Sequence, residues 1–169
     1  MERQLVVFRS ELGWIGLAGA GRTVERLSMG HAAADEVRER MARDLPDGWS
    51  DRNWWPELRR RLVDYASGTA DDFRDVEVAM KGLTPFGRRV VTALRRIGYG
   101  RRIAYGELAA KAGAPGAARA VGSVMSHNRV PLIIPCHRVI AAGGKLGGFS
   151  APQGLSLKQR LLDLEAAGR

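Results

Sequence analysis

The chain contains a single cysteine, Cys136, placed in the run Ile133-Ile134-Pro135-Cys136-His137-Arg138-Val139-Ile140. A thiol ionises near pH 8.5, so at neutral pH it becomes a strong nucleophile only beside a base or a cation. His137 and Arg138 supply one of each. Pro135 fixes the backbone just before the sulfur, which favours a well-placed thiol over a mobile one. One cysteine forms no internal disulfide, and with His31, His127 and His137 it matches no metal-ligand spacing. The residue types alone leave two roles open, a nucleophile and a small buried hydrophobe. Adjacency in sequence does not by itself bring the three side chains into contact.

The charge around this run is one-sided. Residues 1–81 hold 13 Lys+Arg against 15 Asp+Glu, whereas residues 82–169 hold 14 against 3, so the whole positive excess lies in the second half. Such a segment attracts polyanions, because each cation placed near a phosphate releases condensed counterions. No run reaches the roughly 18 to 20 apolar residues that cross a bilayer. The start, Met1-Glu2-Arg3-Gln4, lacks the basic and apolar regions of a signal peptide. A cytoplasmic protein, nucleoid-associated in a prokaryote, is expected.

The elements that must position the cysteine are legible in outline. Leu5–Phe8 and Trp14–Ala18 read as strands of a small antiparallel sheet, with helices over Ala32–Arg43 and Trp54–Tyr65. Ser67–Asp72 is a polar break, and a Phe73–Met80 run follows it. Gly82–Pro85 marks a boundary where the charge also changes, which divides the chain into an α/β domain, 1–81, and a mainly helical domain, 82–169. Thr84 is an N-cap with Pro85 at the first helical position, and Phe86, Val90, Val91, Leu94 and Ile97 mark a helix face ending at Gly98. Tyr105–Ala112, the turn Gly113-Ala114-Pro115-Gly116 and Ala117–Ser126 have the dimensions of a helix-turn-helix. Pro131–Pro135 reads as extended, Gly143–Gly148 as a glycine-rich loop, and Leu155–Ala166 as a closing amphipathic helix.

The second helix of that pair is built from small residues, Ala118, Ala120, Gly122 and Ser123, with Arg119 its one long cation. Small side chains let a backbone approach a groove closely. The shape also occurs as a packing unit without DNA, and the basic half around it favours the DNA-binding reading. Trp49, Trp54 and Trp55 lie in the acidic half and read as packing residues, Gly144-Lys145 lacks the Ser/Thr of a phosphate loop, and His31 reads as a surface residue or helix cap.

Pro135-Cys136-His137-Arg138-Val139-Ile140 resembles the active-site signature of the methylated-DNA-protein-cysteine methyltransferases, the O6-alkylguanine-DNA alkyltransferases. Tyr105–Ala109 and Ala118–Gly122 resemble the family's two DNA-recognition helices, and Gly143–Phe149 and Lys158–Glu165 its closing loop and helix. The resemblance spans Thr84–Ala166. The first half resembles the family's ribonuclease-H-like domain in layout only, and the second is expected to be winged-helix-like.

The resemblance implies a suicide methyltransferase that moves the alkyl group of O6-alkylguanine irreversibly onto Cys136, with O4-alkylthymine left open as a substrate. It implies that His137 takes the thiol proton through a water, that Glu165 polarises His137, and that a low-pKa thiolate results. It further implies that Tyr105 donates toward the leaving purine. Arg119 is to fill the base stack behind a flipped nucleotide, on a helix whose Ala118, Ala120, Gly122 and Ser123 meet DNA. Asn128 is to brace the cysteine loop, and Pro131, Val139, Phe149 and Ser150 are to form the pocket. No cofactor and no metal are implied. The implied partner is double-stranded DNA carrying alkylated bases, bound by a monomer, with cooperative assembly left open.

The chain departs from the family pattern at Arg129, where a proline usually follows the asparagine, at Gly98, usually proline, and at Phe149, usually tyrosine. A non-catalytic alkylated-DNA-binding or regulatory helix-turn-helix protein is the alternative. A thiol hydrolase or redox protein is a third reading, disfavoured by the lack of a second cysteine.

Overall fold

The computed structural model describes residues 1–45, 49–149 and 151–168. Strands β1 (Arg3–Ser10) and β2 (Gly13–Ala20) pair antiparallel around a tight turn. Their side chains alternate with period two: Val6, Phe8, Ile15 and Leu17 point to one face, Leu5, Val7, Trp14 and Ala18 to the other. A third antiparallel strand, β3 (Thr23–His31), carries no clear signal in the sequence. Its register on β2 slips at Trp14/Gly16 and at Ala18/Gly19. Such bulges put the buried Val24, Leu27 and Met29 out of step with simple alternation.

Helix α1 (Ala34–Asp44) covers one face of the sheet through Val37 and Met41. Strand β4 (Trp49–Asp51) joins β1 in parallel, helix α2 (Pro56–Ala66) covers the other face through Leu58, Leu62 and Tyr65, and β5 (Glu77–Val78) joins β3 in parallel. The sheet, in the order β4-β1-β2-β3-β5, is therefore mixed, which corrects the expected all-antiparallel arrangement. The Phe73–Met80 run forms a strand only at Glu77–Val78. His31 is buried at the end of β3, its Nε2 within 2.6 Å of Ser28 Oγ, so the surface or cap reading is also corrected.

Helix α3 (Pro85–Leu94) begins as its sequence dictates. Pro85 occupies the first turn, and Thr84 Oγ1 accepts the Gly87 N–H at 3.0 Å. It stops at Leu94, short of Gly98. There the Arg95 guanidinium donates to the carbonyls of Phe73 (2.8 Å) and Val76 (2.7 Å), and Asp72 accepts the Tyr99 N–H at 2.6 Å. These bonds fasten the end of α3 to the segment after α2.

A two-residue strand β6 (Ile103–Ala104) leads into α4 (Tyr105–Lys111), which packs on α5 (Ala118–Ser126) across the Ala112–Ala117 turn. Strand β7 (Val139–Ile140) pairs in parallel with β6, and α6 (Gly154–Ala167) closes the chain. One apolar cluster runs from Phe8 and Leu17 through Leu58 and Tyr65 to Val90, Leu108 and Leu161, so both halves share a core. Mixed α/β with six α-helices is the architecture of the described residues. No helix among them is long and apolar enough to cross a membrane.

Candidate active site

The segment before the cysteine is a tight turn, not the extended run expected of Pro131–Pro135. Asn128 Nδ2 donates to the Ile134 carbonyl at 3.0 Å while its Oδ1 accepts the Val130 N–H at 3.0 Å. The Ile134 N–H returns to the Val130 carbonyl at 2.9 Å. Leu132 is held at φ 71°, a left-handed conformation that costs a non-glycine residue on the order of 1 kcal/mol and persists only when its surroundings impose it. The two Asn128 bonds do so. Cys136 then opens a 3-10 turn, Cys136–Arg138, that passes directly into β7.

Cys136 is 8% exposed and lines two cavities. The first, of about 350 Å³, is formed by Tyr105, Gly122, Met125, Ser126, Gly148 and Phe149 together with the cysteine, and so opens between α4, α5 and the glycine-rich loop. The second, of about 370 Å³, has Asn128, Pro131 and Phe149 on one side and residues of β3 and α1 such as Ser28, His31 and Arg40 on the other. Gly147 brings the loop against Tyr105: its φ of 70° suits glycine, and a Cβ there would lie 2.8 Å from the Tyr105 hydroxyl. Phe149 stands in both cavities, and Gly122 is the only one of the five α5 residues Ala118, Arg119, Ala120, Gly122 and Ser123 that reaches either.

Arg119, Ala120 and Ser123 are exposed on α5, and Ala118 is half-buried. Arg119 makes no ion pair among the described residues. Val139 is fully buried and lines neither cavity, because its carbonyl accepts the Lys158 ammonium at 2.6 Å. Ser150 lies outside the described residues.

Behind the cysteine is a buried polar network. His137 Nε2 lies 2.8 Å from Glu165 Oε1; since an ionised carboxylate only accepts, Nε2 carries the proton and Nδ1 the lone pair. Nδ1 is buried and has no partner among the described residues. Glu165 also receives Tyr65 Oη–H at 2.7 Å, Arg138 through Nε at 3.0 Å and through its terminal nitrogen at 2.8 Å, and the Gly100 N–H at 3.2 Å. Arg138 donates its third nitrogen to Ile97 O at 2.7 Å and to Asp72 at 3.3 Å.

These partners decide the ionisation states. Burial alone pushes the Glu165 carboxyl up, but hydrogen bonds from His137 and Arg138 and the charge of Arg138 outweigh it and hold the group well below the usual carboxylate range. Burial lowers His137, and the Arg138 and Lys158 charges lower it further against the pull of Glu165, so the imidazole is neutral at physiological pH. Burial pushes the Cys136 thiol up; Asn128, the Lys158 charge and the N–H groups of Cys136 and His137 offset part of that. The low-pKa thiolate expected from the sequence is therefore corrected: the resting sulfur is a protonated thiol beside a neutral base.

The cation that acts on the thiol is also not the adjacent one. Arg138 turns away to Glu165 and Asp72, and the charge that favours the thiolate comes from buried Lys158 of α6, whose ammonium donates to the Val139 and Gly148 carbonyls. Sequence reasoning missed Lys158, Tyr65 and Asp72 as members of the site. Lys158 sits on the same stripe of α6 as Leu157, Leu161, Leu162 and Glu165. A charge on a buried helix stripe is the signal that finds it.

Comparison with known proteins gives the family. Residues 85–167 match the family described as 6-O-methylguanine DNA methyltransferase, DNA binding domain. Over 162 residues the chain is 36% identical to the methylated-DNA-protein-cysteine methyltransferase of Methanosarcina acetivorans, covering 95% of this chain and 97% of that one. It is 40% identical over 156 residues to the protein of the same name from Mycobacterium tuberculosis H37Rv, covering 92% and 88%. The crystal structure of Mycobacterium tuberculosis OGT in complex with DNA is similar at a TM-score of 0.81 and 36% identity, across 98% of this chain and 94% of that one. With identity of this level sustained over nearly the whole length, the chain belongs to the methylated-DNA-protein-cysteine methyltransferase family.

Proposed function

We propose that the protein repairs DNA by a single-turnover displacement in which Cys136 takes the alkyl group from O6-alkylguanine. The observation that carries this is the placement of the one thiol at the junction of two cavities, with the unpartnered Nδ1 of a neutral histidine in the adjacent residue. The sulfur attacks the alkyl carbon, the S–C bond forms as the C–O6 bond breaks, and the thiol proton passes through a water to His137 Nδ1. Tyr105 donates toward the purine ring, so guanine leaves neutral, and the proton held by His137 replaces the one that Tyr105 gives. Atoms and charge balance with neither metal nor organic cofactor. The thioether is stable, so each molecule acts once.

The 350 Å³ cavity beside α5 takes the flipped base, with Met125 and Phe149 against its faces. The second cavity gives the alkyl substituent room toward Pro131 and Asn128. In this reading residues 1–81 are a ribonuclease-H-like support. Residues 82–169 are a winged-helix-like domain that binds double-stranded DNA as a monomer in the cytoplasm or nucleoid, its α5 surface of Ala118, Ala120, Gly122 and Ser123 facing the groove. Incubation with a duplex carrying O6-methylguanine adds one methyl group to the peptide holding Cys136; tight binding with that peptide unmodified overturns the proposal.

Arg119 projects from α5 with no acidic partner among the described residues, and we assign it the space vacated in the stack. Unstacking a base costs a few kcal/mol, so Arg119→Ala lowers transfer from duplex by on the order of 10- to 100-fold. Transfer from free O6-benzylguanine stays near wild type. Comparable losses on both substrates rule the stack-filling role out.

A further inference from the structure

Tyr65 belongs to α2 in the first half of the chain, yet its hydroxyl ends among the groups that set the protonation of His137. It is 1% exposed, donates to Glu165 Oε1 at 2.7 Å and stands 3.4 Å from His137 Nε2. Its ring is fixed against Phe73 and Tyr99, with centroids 5.7 and 5.9 Å away. Because Nε2 carries a proton toward Glu165, the hydroxyl's acceptor is the carboxylate.

Glu165 Oε1 thus receives four donor atoms from three residues: Tyr65 Oη, His137 Nε2, and Nε and a terminal nitrogen of Arg138. A carboxylate oxygen has about two lone-pair directions, so these donors compete for one store of negative charge. Charge engaged by the tyrosine hydroxyl is not available to stabilise an imidazolium. From these contacts we infer that Tyr65 is a positioning residue for alkyl transfer, which holds Glu165 in place and limits its pull on His137 so that the imidazole stays a neutral base. The relay behind Cys136 therefore includes one side chain supplied by the first half of the protein.

The titratable and charged groups facing the pair are Tyr65 from α2, Asp72 from the segment after it, Tyr99 before β6, Cys136 and Arg138 from the 3-10 turn, and Lys158 from α6. Arg138 and Lys158 both disfavour the imidazolium. Glu165, hydrogen-bonded to Nε2 at 2.8 Å, is the group that favours it most, so a change in how strongly Glu165 is engaged moves His137 directly. A purely structural tyrosine, satisfied for the sake of burial, has no such consequence.

The test uses the full chain with Tyr65→Phe. Single-turnover transfer from an O6-methylguanine duplex is followed against pH, and the His137 ring nitrogens are titrated by NMR. Loss of the hydroxyl leaves more of the carboxylate charge on His137, raises its pKa, and moves the acid limb of the rate profile up by about half to one pH unit. On that acid limb transfer at a fixed pH then falls about 3- to 10-fold, and at pH 8 it changes little. Tyr99→Phe, which removes a hydroxyl bonded to the Leu164 carbonyl at 3.5 Å, moves neither. Should Tyr65→Phe fold poorly, 3,5-difluorotyrosine placed at position 65 keeps the ring and makes the hydroxyl a stronger donor, and the limb moves to lower pH. An unmoved His137 titration in the folded variants overturns the role of Tyr65. This inference rests on the alkyl-transfer reading, whose separate failure is a wild-type protein that transfers nothing while its His137 titration still responds at position 65.

Discussion

Cys136→Ala takes up no alkyl group, and its intact mass is unchanged after prolonged exposure to an O6-methylguanine duplex that shifts the wild type by one methyl. The expected loss is complete because the sequence holds no second thiol. Among the described residues no second thiol lines the two cavities: Tyr105 is raised above its ordinary value by burial, Ser126 is an unactivated hydroxyl, and the His31 imidazole of the second cavity is engaged with Ser28 Oγ at 2.6 Å. The fold barely registers the change. The turn is held by Asn128 and the backbone, not by the sulfur, and removal of one buried atom from a site already bordered by open space costs about 1 kcal/mol or less. DNA affinity stays within about threefold, since the cations of the second half and the surface of α5 are untouched. A binding-only protein behaves in the opposite way, forming a stable complex with the lesion whether residue 136 is cysteine or alanine and gaining no mass in either form. The pH dependence of the wild-type reaction adds a second readout. With a thiol raised and an imidazole lowered by the same burial, transfer rises with pH through the range below 6.5, where His137 loses its proton.

Much of this site can be read from the residues because it is built locally. The Thr84-Pro85 start, the pair α4 and α5 around two glycines, and the Pro-Cys-His run each express short-range rules. Glu165 stands on a periodic apolar face whose burial the spacing of leucines announces. Two kinds of feature escape such rules. One is backbone shape imposed by a side chain at a distance: Asn128 bends Pro131–Pro135 into a turn although the apolar run reads as extended, and two bulges hide β3. The other is ionisation. The residues Cys-His-Arg suggest an activated thiolate, yet Arg138 is drawn off by Glu165 and Asp72, which lie far from it and from each other in sequence, and desolvation prevails over the cation that remains. Which partner an arginine selects depends on tertiary placement. Tyr65 is the same case: its position after Leu58 and Leu62 marks it as buried, but nothing in the spacing says that its hydroxyl meets a carboxylate from α6.

Glu165→Gln separates stability from chemistry more sharply than any other single change. The carboxylate faces a bidentate, buried Arg138 whose other anionic partner among the described residues is Asp72 at 3.3 Å, and it accepts from Tyr65, His137 and Gly100 as well. An amide keeps the shape but leaves the guanidinium with only Asp72, about a third exposed, to offset it, and breaking a buried pair from one side costs roughly 3–5 kcal/mol. For a protein of this size that lowers the melting temperature by more than about 6 °C. Transfer falls on the order of 100-fold, because the group that fixes the proton on Nε2 and frees Nδ1 has lost its charge. The pH dependence of stability follows in sign. Glu165 is held below its ordinary value of 4.5, so the unfolded chain binds the proton first, and the stability that the ionised carboxylate contributes above pH 4.5 is lost as pH falls toward its folded value. His137, lowered from 6.5, acts in the same direction at higher pH, because only the unfolded imidazole accepts a proton readily. The wild type therefore loses stability on acidification in two stages, and Glu165→Gln removes the lower one. Replacing both partners, Arg138→Met with Glu165→Leu, restores much of the lost stability, since an apolar pair needs no compensation. Transfer does not return with it. If Glu165→Gln melts with the wild type, the ion pair contributes nothing to holding the cysteine turn against α6, and the account of His137 as an oriented neutral base fails with it.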